Sequence, residues 1–139
     1  MQVGLERRKI NQRTRRAVFD KYGGRCAYCG RILQYKDMAV DHIVPLHLGG
    51  ADDISNYNPS CRSCNRYKST YTVERFRQQL QCIPARLERD ASYCIARRFG
   101  LVDVEKTHVG FFFEETEPWK GDPSDDEDRT SHDVSGKGL

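Results

Sequence analysis

The sequence predicts an α+β fold, a small unit of two strands and a helix stapled by a metal ion and flanked by further helices. Three observations carry that expectation. Two Cys-x-x-Cys pairs, Cys26 with Cys29 and Cys61 with Cys64, bracket the middle of the chain. Between them lie two short stretches with strand character, 38–44 and 56–60, separated by a Gly-Gly loop. Apolar residues at helical spacing recur on both sides of this unit.

Composition fits such a stapled core. The 139 residues are 31% charged with a mean hydropathy of −0.77, which leaves little apolar surface to bury. A short polar chain of this kind draws on a bound metal, because apolar burial alone barely offsets chain entropy. One domain with appendages is expected. No run approaches the ~20 apolar residues of a membrane span, and no apolar leader is evident, so a reducing cytoplasm is the expected setting. There, six cysteines favour metal binding over disulfides.

In chain order, residues 5–22 read as a basic helix, the main part of an N-terminal region 1–24. Ile10, Thr14, Ala17, Val18 and Tyr22 share one stripe, and Gly23-Gly24 stops it. The core spans 25–70. Cys26 to Gly30 reads as a knuckle whose glycine accepts a positive φ. Met38 to Val44 is a β-prone run ended by Pro45, Gly49 to Ser55 is loop, and Pro59 bars the 56–60 stretch from a central strand position. A helix follows from Arg62 through Lys68. Thr72 is placed to cap the next helix, with Glu74 in its first turn and Val73, Phe76 and Leu80 as its stripe. Pro84 opens another helix that Gly100 ends, with Leu87, Ala91, Cys94, Ile95 and Phe99 along one face. The 71–113 region is expected to pack on the core as a helical extension, with a strand over 109–113. The acidic stretch 114–139 is expected to be disordered.

Charge is distributed unevenly. Residues 1–113 hold 20 Lys+Arg against 11 Asp+Glu, whereas residues 114–139 hold 3 against 9. A basic body suits a polyanion, and the acidic tail is expected to compete with it.

The cysteine spacing lets each pair bite one tetrahedral ion, so Cys26, Cys29, Cys61 and Cys64 are expected to close a structural Zn²⁺ site with no open position. Cys82 and Cys94 lie outside the pattern and read as ordinary buried thiols. Asp41, His42 and Asn65 suggest different chemistry. A carboxylate and an amide oxygen suit a hard ion such as Mg²⁺, and a neutral imidazole can take a proton from water. Asn65 follows Cys64 directly, and consecutive helical residues diverge by about 100°, so one helical turn can serve both metals. Asp41 and His42 are sequence neighbours, and on a regular strand they would face opposite ways. The strand must therefore end or twist there.

These residues resemble a known family. Val40-Asp-His-Ile-Val-Pro-Leu-His-Leu-Gly-Gly50, followed by Asn56-Tyr-Asn-Pro-Ser-Cys-Arg-Ser-Cys-Asn-Arg-Tyr-Lys68, is similar to the HNH endonucleases of the zinc-supported ββα-metal (His-Me finger) type, over residues 22–70. The helical remainder is similar to standalone phage or prophage members. The resemblance implies that His42 is the general base, that Asp41 and Asn65 hold a single Mg²⁺ or Mn²⁺, and that Asn56 orients the base and its loop. It implies a DNA substrate cut to a 5′-phosphate and a 3′-hydroxyl. Asn65 stands where some members have His, and an oxygen-rich set favours Mg²⁺ or Mn²⁺ over softer ions. Arg62, Arg66 and Lys68 are expected near the scissile phosphate, and Arg13, Arg15 and Arg16 along the DNA backbone. His47 reads as an exposed loop histidine. The competing readings are a noncatalytic zinc-ribbon DNA-binding module and an accessory subunit of a phage packaging machine, partnered by a terminase.

Overall fold

The computed structural model describes residues 9–116. Its first element, α1 (Gln12–Asp20), starts later than the sequence pattern implied, because the Asn11 side chain accepts the Thr14 amide at 2.8 Å and caps the helix there. The expected residues 5–8 lie outside the described residues. Of the expected stripe, Val18 and Tyr22 are buried and Ile10 packs against the core, whereas Ala17 is exposed and Phe19 packs there in addition.

The knuckle follows as a miniature hairpin, with Arg25 bridged to Ile32. Gly30 has φ +78°, and a Cβ there would press on the Phe112 ring at 3.0 Å, so glycine is required for both conformation and space. The two strands, β1 (Ala39–His42) and β2 (Tyr57–Ser60), pair antiparallel, with Asp41 opposite Asn58 and His42 opposite Tyr57. In a two-stranded ribbon each strand is an edge, which accommodates Pro59. The carbonyl of Pro59 accepts the Ala27 amide at 2.8 Å, which fastens the knuckle to β2. On the same strand the Lys21 ammonium donates to the Tyr57 carbonyl at 2.8 Å and ties down the end of α1.

Helix α2 (Arg62–Lys68) has Cys61 as its cap and lies on β1. It is followed by α3 (Val73–Gln81), capped as expected by Thr72, whose hydroxyl accepts the Arg75 amide at 3.1 Å. Phe76 and Arg77 are its buried residues.

Two expectations for the helical extension need correction. The single helix from Pro84 to Gly100 is two, α4 (Ile83–Leu87) and α5 (Ala91–Arg98), because Asp90 accepts the Tyr93 amide at 2.9 Å and starts a new helix. The second correction concerns packing. Their shared apolar face does not enlarge the core: Leu87, Ile95 and Phe99 are 41%, 48% and 75% exposed. Cys82 is exposed and the Cys94 thiol donates to the Glu88 carbonyl, so neither is the buried thiol expected.

The stretch 109–113 is not a strand. Its end forms α6 (Phe112–Thr116), because the Glu114 carboxylate accepts the Phe111 amide at 2.9 Å and starts a helical turn. The Phe112 and Phe113 amides donate to the carbonyls of Tyr28 and Ala27, which docks this segment on the knuckle. Glu114 also holds Arg77 at 2.6 Å. The remainder of the acidic stretch, with Trp119 and His132, lies outside the described residues.

The core is aromatic. Tyr28 meets Phe76, Phe111 and Phe113 edge-on, with ring centroids 5.3–5.6 Å apart. Among the described residues no helix is long and apolar enough to cross a membrane.

Candidate active site and metal centre

The knuckle and the N-terminus of α2 bring four sulfurs together. The Sγ atoms of Cys26, Cys29, Cys61 and Cys64 all lie within 4.8 Å of one another, and Cys29 and Cys61 are 3.9 Å apart. Four sulfurs about 2.3 Å from a central ion would be separated by about 3.8 Å in a regular tetrahedron, so this cluster suits zinc. The hydrogen bond from Cys64 lowers the Cys26 pKa to about 4 against the opposing effect of burial, the same contact raises the Cys64 pKa, and burial raises that of Cys29. Of these three the thiolate is favoured at Cys26.

β1 ends at His42, and Asp41 and His42 are both still paired in register with β2. Asp41 and His42 line one cleft of about 210 Å³, with Pro45, Leu46, His47, Ser69 and Thr70 as its other walls. Asp41 itself is 4% exposed. Its carboxylate accepts from Lys68 Nζ at 3.0–3.2 Å and from the Tyr28 hydroxyl. Burial raises the Asp41 pKa, while the Lys68 charge and the Tyr28 hydrogen bond oppose that rise. Burial lowers the Lys68 pKa, and Asp41 opposes it in turn. Lys68 Nζ also donates to the His42 carbonyl at 2.8 Å, so one amine ties α2 to the last two residues of β1.

The His42 ring is held from the other side. Its Nε2 lies 2.9 Å from Asp52 Oδ1, and the same oxygen accepts the Tyr57 hydroxyl at 2.6 Å. The Tyr57 ring packs edge-on against the imidazole. With Nε2 donating to Asp52, the lone pair of the neutral ring lies on Nδ1.

Asn56 braces the loop that connects the strands. Its Oδ1 accepts the Val44 amide, and its Nδ2 donates to the carbonyls of Val44 and Ala51, all at 2.8–2.9 Å. Gly50 passes so close that a Cβ would sit 1.8 Å from the Val44 carbonyl oxygen. This closure carries Asp52 back toward His42.

Asn65 is partly exposed and is not among the residues lining the cleft. It stands three residues before Lys68 on α2. His47 is exposed at the rim.

The expected DNA contacts divide. Arg62, Arg66, Arg13 and Arg16 are exposed, Arg62 at 77%. Lys68 is corrected: with no exposed surface and two partners on β1, it cannot grip a phosphate from this position. Arg15 is also turned inward, donating to the carbonyls of Tyr35 and Met38 at 2.8 Å each.

The sequence reasoning missed Asp52, Tyr57 and Tyr28. A tyrosine between two zinc-type cysteines and an aspartate after a Gly-Gly loop were the only local signals for Tyr28 and Asp52.

Residues 26–81 match the family model described as HNH endonuclease. The ββα arrangement and the Cys₄ cluster within that segment are consistent with the match. Among solved structures, the chain is similar to a Type II-C Cas9 enzyme from Actinomyces naeslundii. The TM-score is 0.44 and the identity 29%, covering 51% of this chain and 8% of that one. No curated protein matches.

Proposed function

We propose that the protein is a metal-dependent DNA endonuclease in which His42 activates water and a single Mg²⁺ or Mn²⁺ is held by Asp41 and Asn65. The observation that carries this reading is the pairing of His42 Nε2 with Asp52 beside Asp41 in one open cleft. That pairing leaves Nδ1 as the basic atom. As Nδ1 takes the proton from an attacking water, the Asp52 carboxylate stabilises the imidazolium that forms. Asn56 keeps the loop closed so that Asp52 stays in place. Lys68 contacts both oxygens of the Asp41 carboxylate and Tyr28 donates to Oδ2, so Oδ1, with one donor, is the oxygen that would take an ion. One carboxylate and one amide oxygen suit Mg²⁺, which is usually held by few protein ligands and completed by water and phosphate. When bound, the metal would stabilise the charge developing on the phosphate and on the departing 3′-oxygen. The products would carry a 5′-phosphate and a 3′-hydroxyl. Exposed arginines, among them Arg66 in the hollow that shares Ser69 with the cleft, support DNA as the substrate.

Nicking of supercoiled plasmid with Mg²⁺ or Mn²⁺ tests the proposal. Wild type should nick, and His42→Ala should lose nicking while keeping its zinc and its thermal transition. Equal products from both proteins, or none with either metal, would favour a noncatalytic zinc module.

A further inference from the structure

A second groove runs beside the catalytic cleft. It has a volume of about 480 Å³ and is lined by Arg66, Tyr67, Ser69, Tyr71, Gln79 and Arg86. Ser69 lines both hollows, so they adjoin.

Three features give the groove a chemical character. Tyr67 and Tyr71 are 56% and 39% exposed, whereas Tyr28 and Tyr57 are buried. Two guanidinium groups and no carboxylate line it, and Gln79 holds Arg86 at 2.6 Å. The Arg75 guanidinium lies 6.0 Å from the Tyr71 ring centre, within cation–π range. The third feature is the turn at Ser69. With φ 49° and ψ −125°, it is the one non-glycine residue of positive φ among the described residues. Strained backbone of this kind is held only where its surroundings enforce it. Here it reverses the chain between buried Lys68 and exposed Tyr71, and both tyrosines end on one groove.

Exposed aromatic faces beside cations are how proteins take up unpaired bases: the ring stacks on the base and the cations follow the phosphates. In an intact duplex the base faces are already stacked on one another. We infer that this groove binds an unpaired segment of the DNA strand that enters the catalytic cleft, so that forks, flaps and gaps are preferred over fully paired duplex. The inference rests on the nuclease reading for the position of the cut, but the binding it requires can be measured without cleavage.

The test uses the full-length, zinc-loaded His42→Ala protein without added Mg²⁺ or Mn²⁺. Fluorescence anisotropy would follow its binding to a labelled 15-nucleotide oligo-dT, to a paired hairpin and to an RNA of the same length. The single strand should bind more tightly than the hairpin. Tyr67→Ala and Tyr71→Ala should each weaken single-strand binding by about fivefold or more, with hairpin binding unchanged and Tyr67→Phe behaving as the parent. Arg66→Gln and Arg86→Gln should lower the salt dependence. Equal affinity for single strand and hairpin, alanine variants at parental affinity, or tighter binding of RNA than of DNA would each overturn the inference. Wild-type protein that binds as expected but nicks nothing would sink the nuclease reading and leave the groove standing.

Discussion

Replacing Lys68 with Met is expected to destabilise the protein severely, although lysines at helix ends are usually dispensable. The size of the effect follows from what the ammonium touches. It is fully buried, lies 3.0–3.2 Å from the Asp41 carboxylate and donates to the His42 carbonyl at 2.8 Å. Methionine fills similar space, so the loss is electrostatic and cavity formation adds little. What remains is a 4% exposed carboxylate with Tyr28 as its surviving donor. Removing one partner of a buried pair costs about 3–5 kcal/mol. A domain stable by about 5–15 kcal/mol would lose a large share of its margin. Urea denaturation with zinc in every buffer measures this directly. Lys68→Met with Asp41→Asn should recover part of the loss, because the orphaned charge is then gone. A Lys68→Met protein within about 1 kcal/mol of wild type, or a double variant as unstable as the two losses added, would refute the reasoning.

Three further outcomes are expected. Cys61→Ser, or chelation of zinc, should unfold the core, seen as a lost cooperative transition in circular dichroism, because structural zinc supplies folding energy outright. Asp52→Asn should slow plasmid nicking by about a hundredfold or more with folding intact, since an amide neither fixes the same tautomer nor stabilises the imidazolium. Burial lowers the Lys21 pKa from 10.5 to about 8. A depressed folded value means that its contribution is fully present only above 10.5 and is lost as pH falls through about 8. Unfolding free energy from this group should therefore rise with pH across that window, and Lys21→Met should flatten the rise in a pH series of denaturant melts.

Much of the architecture was legible because its signals are local. The cysteine pairs specify a tetrahedral bite by spacing alone, Thr72 sits where a cap belongs, and β1 and α2 fall where composition put them. The errors arise where a residue's fate depends on a distant partner. Lys68 looked like a surface charge because nothing nearby in sequence reveals a carboxylate across the helix. Asp52 is ten residues from His42, and only the closure at Gly50 and Asn56 unites them. Phe111 to Phe113 has strand-like composition, but the Glu114 carboxylate and the knuckle carbonyls captured its amides. The stripe from Leu87 to Phe99 suggested one packed helix, yet the Asp90 cap was also present in the sequence and decided the break.

The site also removes a distinction that the sequence invites, between cysteines that fold the protein and an Asp-His pair that acts. Both donors to Asp41 come from elements anchored in the Cys₄ cluster. Tyr28 lies between Cys26 and Cys29, and Lys68 ends the helix that carries Cys64. The cluster therefore sets the spacing between a hydroxyl and an ammonium, and that spacing aims the carboxylate. Burial shifts Asp41 upward and Lys68 downward, so desolvation opposes both charges. Such a pair is poor evidence for stability, since apolar residues of similar volume often do as well or better. Its use here is to fix one conformation of a carboxylate at the cleft. Asp41→Ala would then do more than remove a metal ligand. It would leave the Lys68 ammonium buried without its counter-charge, and the protein should melt earlier as well as lose activity. Asp41→Asn keeps an acceptor for Lys68 and is the cleaner probe of chemistry. An Asp41→Ala variant with the wild-type melting temperature would show that the carboxylate and the fold are independent after all.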